Sequence, residues 1–147
     1  MRVLGLLVLS VAFLTACAMS KNDPEAIIIP RAELKALTEQ FNNAVAKDPE
    51  LAAIFGRFRS SGTKRPDTEP FGNMAVNRKA WDGLSAAQRD SVVKKVAATF
   101  SALFLNSPVR RADVATVYLV EGGSDVGWFH VRAAQGDYFY RLAGQER

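Results

Sequence analysis

The sequence predicts an α+β fold: about three helices packed on a small C-terminal three-stranded antiparallel sheet. Two observations carry this. Up to about residue 105, apolar residues recur at three- and four-residue steps, the period of a half-buried helix. From Val114 onward the period drops to two, in runs rich in β-branched and aromatic residues separated by short glycine-containing turns. Helices first and strands after place the helices on one face of the sheet.

The first helix is expected from Arg31 to about Lys47, where Leu34, Leu37, Phe41 and Val45 share one face. Just before it, Ile27, Ile28 and Ile29 precede Pro30 as an extended edge segment or a hydrophobic lip. A second helix is marked by its ends: Asp48 can cap it, Pro49 suits its first position and Gly56 its stop. Leu51, Ile54 and Phe55 supply its apolar face. Arg57 to Pro70 is expected to be a loop, broken by Gly, Ser, Thr and Pro and charged by Arg57, Arg59, Lys64 and Arg65. Phe71 to Met74 continues it as a turn on the core. The third helix has the clearest signal. Ser85 and Gln88 form a capping-box pattern, and Val92, Val93, Val96, Ala97, Phe100, Leu103 and Phe104 follow as a wide stripe. Asn106-Ser107-Pro108 ends it.

Three strands complete the chain. Val114 to Val120 is the first, and Glu121 to Asp125 turns the chain. Trp128 to Ala133 is the second, with Phe129 and Val131 on one side and His130 and Arg132 on the other. Gln135-Gly136-Asp137 turns again before Tyr138 to Leu142. Alternation puts Tyr138 and Tyr140 on one face and Phe139 on the other, so some aromatic surface must be exposed or line a cleft.

The N-terminus carries the most specific motif. Met1-Arg2 is a basic start, Val3 to Leu14 an apolar run, and Leu14-Thr15-Ala16-Cys17 the end. This is the layout of a secretory signal. It resembles the lipobox of bacterial lipoproteins, in which an apolar residue and two small residues precede a cysteine. The resemblance implies cleavage between Ala16 and Cys17 and a diacylglycerol on the Cys17 sulfur. The apolar run is short of the roughly 20 residues that a membrane-spanning helix needs. Cys17 is also the only cysteine, and a lone cysteine in an exported protein is an unpaired reactive thiol unless it is modified. Residues 1–16 are thus expected to be a signal peptide, 17–30 an acylated N-terminus and tether, and 31–147 one α+β domain. Ala18 follows the acylated position, where the enteric sorting rule places Asp for inner-membrane retention. That points to the outer membrane, on its periplasmic face.

Composition narrows the chemistry. A net charge of +4 is too weak to imply nucleic acid. One histidine and one cysteine cannot supply a zinc site, and no phosphate-binding glycine loop is present. No cofactor is expected. Ser124, Asp125 and His130 contain the residue types of a nucleophilic triad. The turn explains the first two, however, and a strand's polar face explains the third. No acidic pair stands out for general acid–base work, and no catalytic activity is expected. Two surfaces remain: the basic loop, read as a contact for anionic headgroups or an acidic partner or simply as a solvated loop, and the strand aromatics. Their candidate residues are Arg57, Arg59, Lys64, Arg65, Trp128, Tyr138 and Tyr140.

Trp81-Asp82-Gly83-Leu84-Ser85-Ala86-Ala87-Gln88-Arg89, with the helix to Phe104, resembles the central helix of the MlaC/toluene-tolerance phospholipid carriers, over about a fifth of the chain. The resemblance implies an NTF2-like cone of helices and sheet with an apolar cavity for acyl chains. The function expected from the whole sequence is therefore a lipid-anchored accessory or binding protein of an envelope complex. The alternative is a binder of lipid or another hydrophobic ligand.

Overall fold

A computed structural model describes residues 29–61 and 71–144. The lipobox and Cys17 lie outside the described residues, as do Lys64 and Arg65.

Helix α1 spans Arg31–Lys47, and its buried residues are Leu34, Leu37, Phe41 and Val45, as their spacing requires. Ile29, just ahead of it, is buried in the same core. Helix α2, Pro49–Ile54, starts as its sequence predicts. The Asp48 carboxylate accepts from the Glu50 and Leu51 N–H groups at 3.1 and 3.2 Å. It stops before Gly56, because Phe55 is already extended, with φ −104° and ψ 134°.

The chain then departs from expectation. The segment from Arg57, read as loop, is part of strand β1, Phe55–Ser61, and Phe71, read as turn, opens strand β2, Phe71–Val76. A short helix α3, Arg78–Asp82, buries Trp81 and also went unforeseen. Helix α4, Ala86–Leu105, carries the full capping box between Ser85 and Gln88 and buries the predicted stripe except Leu103, which is half-buried. A 3-10 turn, Pro108–Ala112, leads into β3, Val114–Glu121. Strands β4, Ser124–Arg132, and β5, Asp137–Leu142, follow. Only Gly122 and Gly123 turn between β3 and β4, both at positive φ that glycine adopts without a Cβ clash. Ser124 and Asp125 therefore belong to a strand rather than to that turn.

The α+β class stands, but the sheet is corrected. It has five strands in the order β1-β2-β3-β4-β5. The β3-β4-β5 meander is antiparallel as expected. The β1-β2 hairpin is added beside it, and β2 pairs parallel to β3, so the sheet is mixed. Parallel neighbours need a long crossover, and here α3, α4 and the 3-10 turn provide it. Among the described residues there are four α-helices rather than three.

α1 and α4 pack on one face of the sheet through aromatic rings. Phe100 of α4 stacks against Phe104 and meets the edges of Phe41, Phe58 and Phe129, at centroid distances of 5.0 to 6.1 Å. Met74, Val117, Leu119 and Val131 are among the other strand residues of this core. Between α1, α4 and strands β1 and β3 the described residues leave a cavity of about 10 Å³, lined by Leu34, Leu37, Phe58, Phe100 and Val109 among others. That is room for roughly one water.

Candidate functional site

The opposite face of the sheet has no helix on it among the described residues, and its side chains follow from the register. Arg59, Asn73, Tyr118, Trp128 and Arg141 are successive cross-strand partners from β1 to β5. With strands about 4.8 Å apart, the row is roughly 19 Å long. A second row, nearer the start of β3, holds Thr116, His130 and Phe139. Alternation explains why Trp128, His130 and Phe139 face outward while Phe129, Val131, Tyr138 and Tyr140 face the helices.

Three rings form a cluster on β4 and β5. Trp128 lies 4.5 Å from His130 and 5.8 Å from Phe139, and His130 lies 5.0 Å from Phe139, centroid to centroid. Phe139 is the one large hydrophobic side chain exposed among the described residues, at 43%. Arg132 covers it from one side, with its guanidinium 5.2 Å from the ring centre. The same guanidinium makes a two-pronged bond to Asp137 through Nε and Nη2. The Arg132 bond holds the Asp137 carboxyl below its ordinary pKa, so the pair stays charged at neutral pH.

His130 Nδ1 lies 2.6 Å from Thr116 Oγ1, and Thr116 is buried. Ser124 and Asp125 pair with Glu121 and Val120 at the far end of β4. Asp125 and His130 stand five strand steps apart, about 17 Å. The three residue types of a triad are therefore not brought together. Among the described residues, no group of three or more His, Cys, Asp and Glu converges on a point.

The β1 side of the same face is basic. Arg57 and Arg59 are exposed, and neither has an ion-pair partner among the described residues. With Ser61, Asn73, Ala75, Val120 and the Gly122-Gly123 turn they line an open hollow of about 710 Å³. Asp125 pairs with Val120, one of the residues that line this hollow.

No protein-family model, no curated protein and no solved structure matches this chain.

The residues singled out from sequence are divided by the fold. Trp128, Arg57 and Arg59 share the outer face. Tyr138 and Tyr140 are half-buried on the helix side, where the Tyr140 hydroxyl donates to Asp90 of α4 at 3.1 Å. Tyr118, Phe139 and Asn73 join the outer surface. Tyr118 and Phe139 sit at alternating strand positions that the period of two already marked. Asn73 came from a segment read as a turn, and only its pairing with Arg59 and Tyr118 reveals it.

Proposed function

We propose that the chain is a non-catalytic lipoprotein of the bacterial envelope, held through Cys17 to the periplasmic face of the outer membrane, and that the bare sheet face is its binding surface. The anchor reading is supported by Leu14-Thr15-Ala16-Cys17 at the end of a short apolar run that begins after Arg2. The observation that carries the binding reading is the ring cluster of Trp128, His130 and Phe139 on a sheet face left uncovered by α1 and α4, a face that also carries Arg57 and Arg59, which have no ion-pair partner among the described residues. Solvent-facing sheet surfaces are ordinarily polar, and a contiguous apolar patch on one marks a contact.

The competing reading, an internal lipid carrier, has less support. Such ligands fill pockets of about 300–1,000 Å³, and the cavity that the described residues leave between α1, α4 and strands β1 and β3 is about 10 Å³.

Two measurements test the proposal. Cys17→Ser is expected to remain unprocessed, to take up no labelled fatty acid and to leave the membrane fraction. A variant that fractionates like the native chain ends the anchor reading. A photo-crosslinking residue at Phe139 is expected to give adducts in cells, whereas one at the exposed Lys94 on α4 is not. Equal labelling at both positions ends the binding reading.

A further inference from the structure

We propose that the bare sheet face docks on the anionic phospholipid leaflet that holds the anchor, so that the domain lies on its own membrane. This rests on the Cys17 anchor proposed above and names the occupant of the same surface.

The first argument is the length and end point of the chain outside the described fold. Residues 17–28 separate the anchor from Ile29, which is packed in the core. Twelve residues reach at most about 40 Å when fully extended. Membrane contact is thus intramolecular, and a surface too weak to bind lipid from solution is held at a high effective concentration.

The junction also lies at a suitable place. Glu33, in the first turn of α1, is ion-paired with Arg111 of the 3-10 turn, which leads directly into β3 at Val114. Val114 is in register with Arg132, and Arg132 with Asp137. The chain therefore enters the domain at the end of the sheet that carries Arg132 and Phe139.

The second argument is charge and chemistry. The central row sets Tyr118 and Trp128 between Arg59 and Arg141. Tyrosine and tryptophan, with an apolar body and a polar edge, are the side chains that settle at headgroup level. Arginine beside them meets phosphate. Among the described residues Arg57 and Arg59 lack an acid partner, whereas Asp137, one of the two acids that the register of those residues places on this face, is already held by Arg132. Asp125 is the other, so positive charge prevails among the described residues of the face. Each basic side chain at an anionic leaflet raises partition about fivefold.

The test uses the full acylated chain reconstituted in vesicles of brominated phosphatidylcholine, with and without phosphatidylglycerol. Flotation reports the anchor. Trp128 fluorescence reports the docking, with Trp128→Phe identifying its share against buried Trp81. The expected result is flotation in both lipids, with Trp128 blue-shifted and quenched far more strongly when phosphatidylglycerol is present. Arg57→Glu/Arg59→Glu, at exposed positions, is expected to float equally and to lose that enhancement. A chain that floats with Trp128 unquenched in either lipid overturns the docking, leaves the anchor standing and turns the face toward a protein partner. A chain that does not float overturns both.

Discussion

The side-chain amide of Asn42 closes the outer edge of the sheet by bonding both backbone groups of Phe58. Its Nδ2 donates to the Phe58 carbonyl at 3.0 Å, and its Oδ1 accepts from the Phe58 N–H at 2.8 Å. β1 is an edge strand, and edges leave such groups open to pairing with another chain. A helix residue here acts as a sixth strand one residue long. Asn42→Ala is expected to cost about 2–3 kcal/mol, because two half-buried backbone groups lose their partner. Asn43→Ala, one position along on the exposed side of α1, should cost no more than about 0.5 kcal/mol. Urea unfolding of the two variants measures the difference, and equal costs would refute the clamp.

Gly72 of β2 is a strand residue whose identity the packing dictates. A Cβ there would stand 2.4 Å from the Phe58 ring and 2.6 Å from the Arg59 carbonyl oxygen. The ring could turn aside, but the paired backbone of β1 cannot without breaking its ladder with β2. Gly72→Ala is expected to lower stability by about 3 kcal/mol. Adding Phe58→Leu should return part of that loss, since the smaller side chain vacates the ring's space. Additive costs in the double variant would mean that the ring is not the obstacle.

Phe58 and Gly72 also explain where the sequence misleads. The register slips between Phe55 and Phe58, so the two buried phenylalanines of β1 stand three apart, a helical spacing rather than a strand's. Arg57 and Arg59 flank Phe58 and make the stretch look like a charged loop, when they are the outward half of a strand. Gly72 gives the appearance of a turn but is a strand position emptied for a ring. The pairing of β2 with β3 joins Phe71 to Thr116 across the whole of α4, and no local pattern announces a contact at that separation. By contrast, α1, α4 and the meander were legible because each satisfies its own pattern within a few residues: a one-sided stripe, a capping box, alternation between turns. The same rule governs the surface. Alternation alone separated Trp128 from Phe129 and Phe139 from Tyr140. The row from Arg59 to Arg141 needed the sheet order.

Lys95 ties α4 to the start of α2, and its contribution should depend on acid. Its ammonium is 2.8 Å from the Asp48 carboxylate and 2.7 Å from Glu50. The bond to Lys95, and then the α2 backbone N–H groups, hold Asp48 below its ordinary value of 3.8. The Lys95 ammonium is correspondingly pushed up. A carboxyl whose folded pKa is depressed stabilises the fold above its unfolded value, and the benefit disappears as pH falls through the folded one. Lys95→Met is therefore expected to unfold at lower urea than the native chain at pH 7. The gap should narrow below pH 3.8 as Asp48 takes up its proton. Both groups are solvated, so the gap will be small. A gap that grows with acidity contradicts the assignment.

Tyr140 should govern the opposite limb. Burial first, and then the hydrogen bond to negatively charged Asp90, raise its phenol above 10.0. The fold therefore favours the neutral phenol. That preference is fully present below pH 10.0, where the unfolded chain also keeps its proton, and is lost as pH rises through the higher folded value. The phenol bridges β5, the far edge of the sheet, to α4, so its ionisation would set a phenolate against the Asp90 carboxylate in a half-buried place. Tyr140→Phe removes both the bond and the ionisation. It is expected to lose about 1 kcal/mol at pH 7, yet to hold its remaining stability better than the native chain once the pH passes 10. The two stability curves should then converge in alkali. Parallel curves would mean that the phenol ionises as easily in the folded chain as in the unfolded one, and that β5 is held to α4 by apolar packing alone.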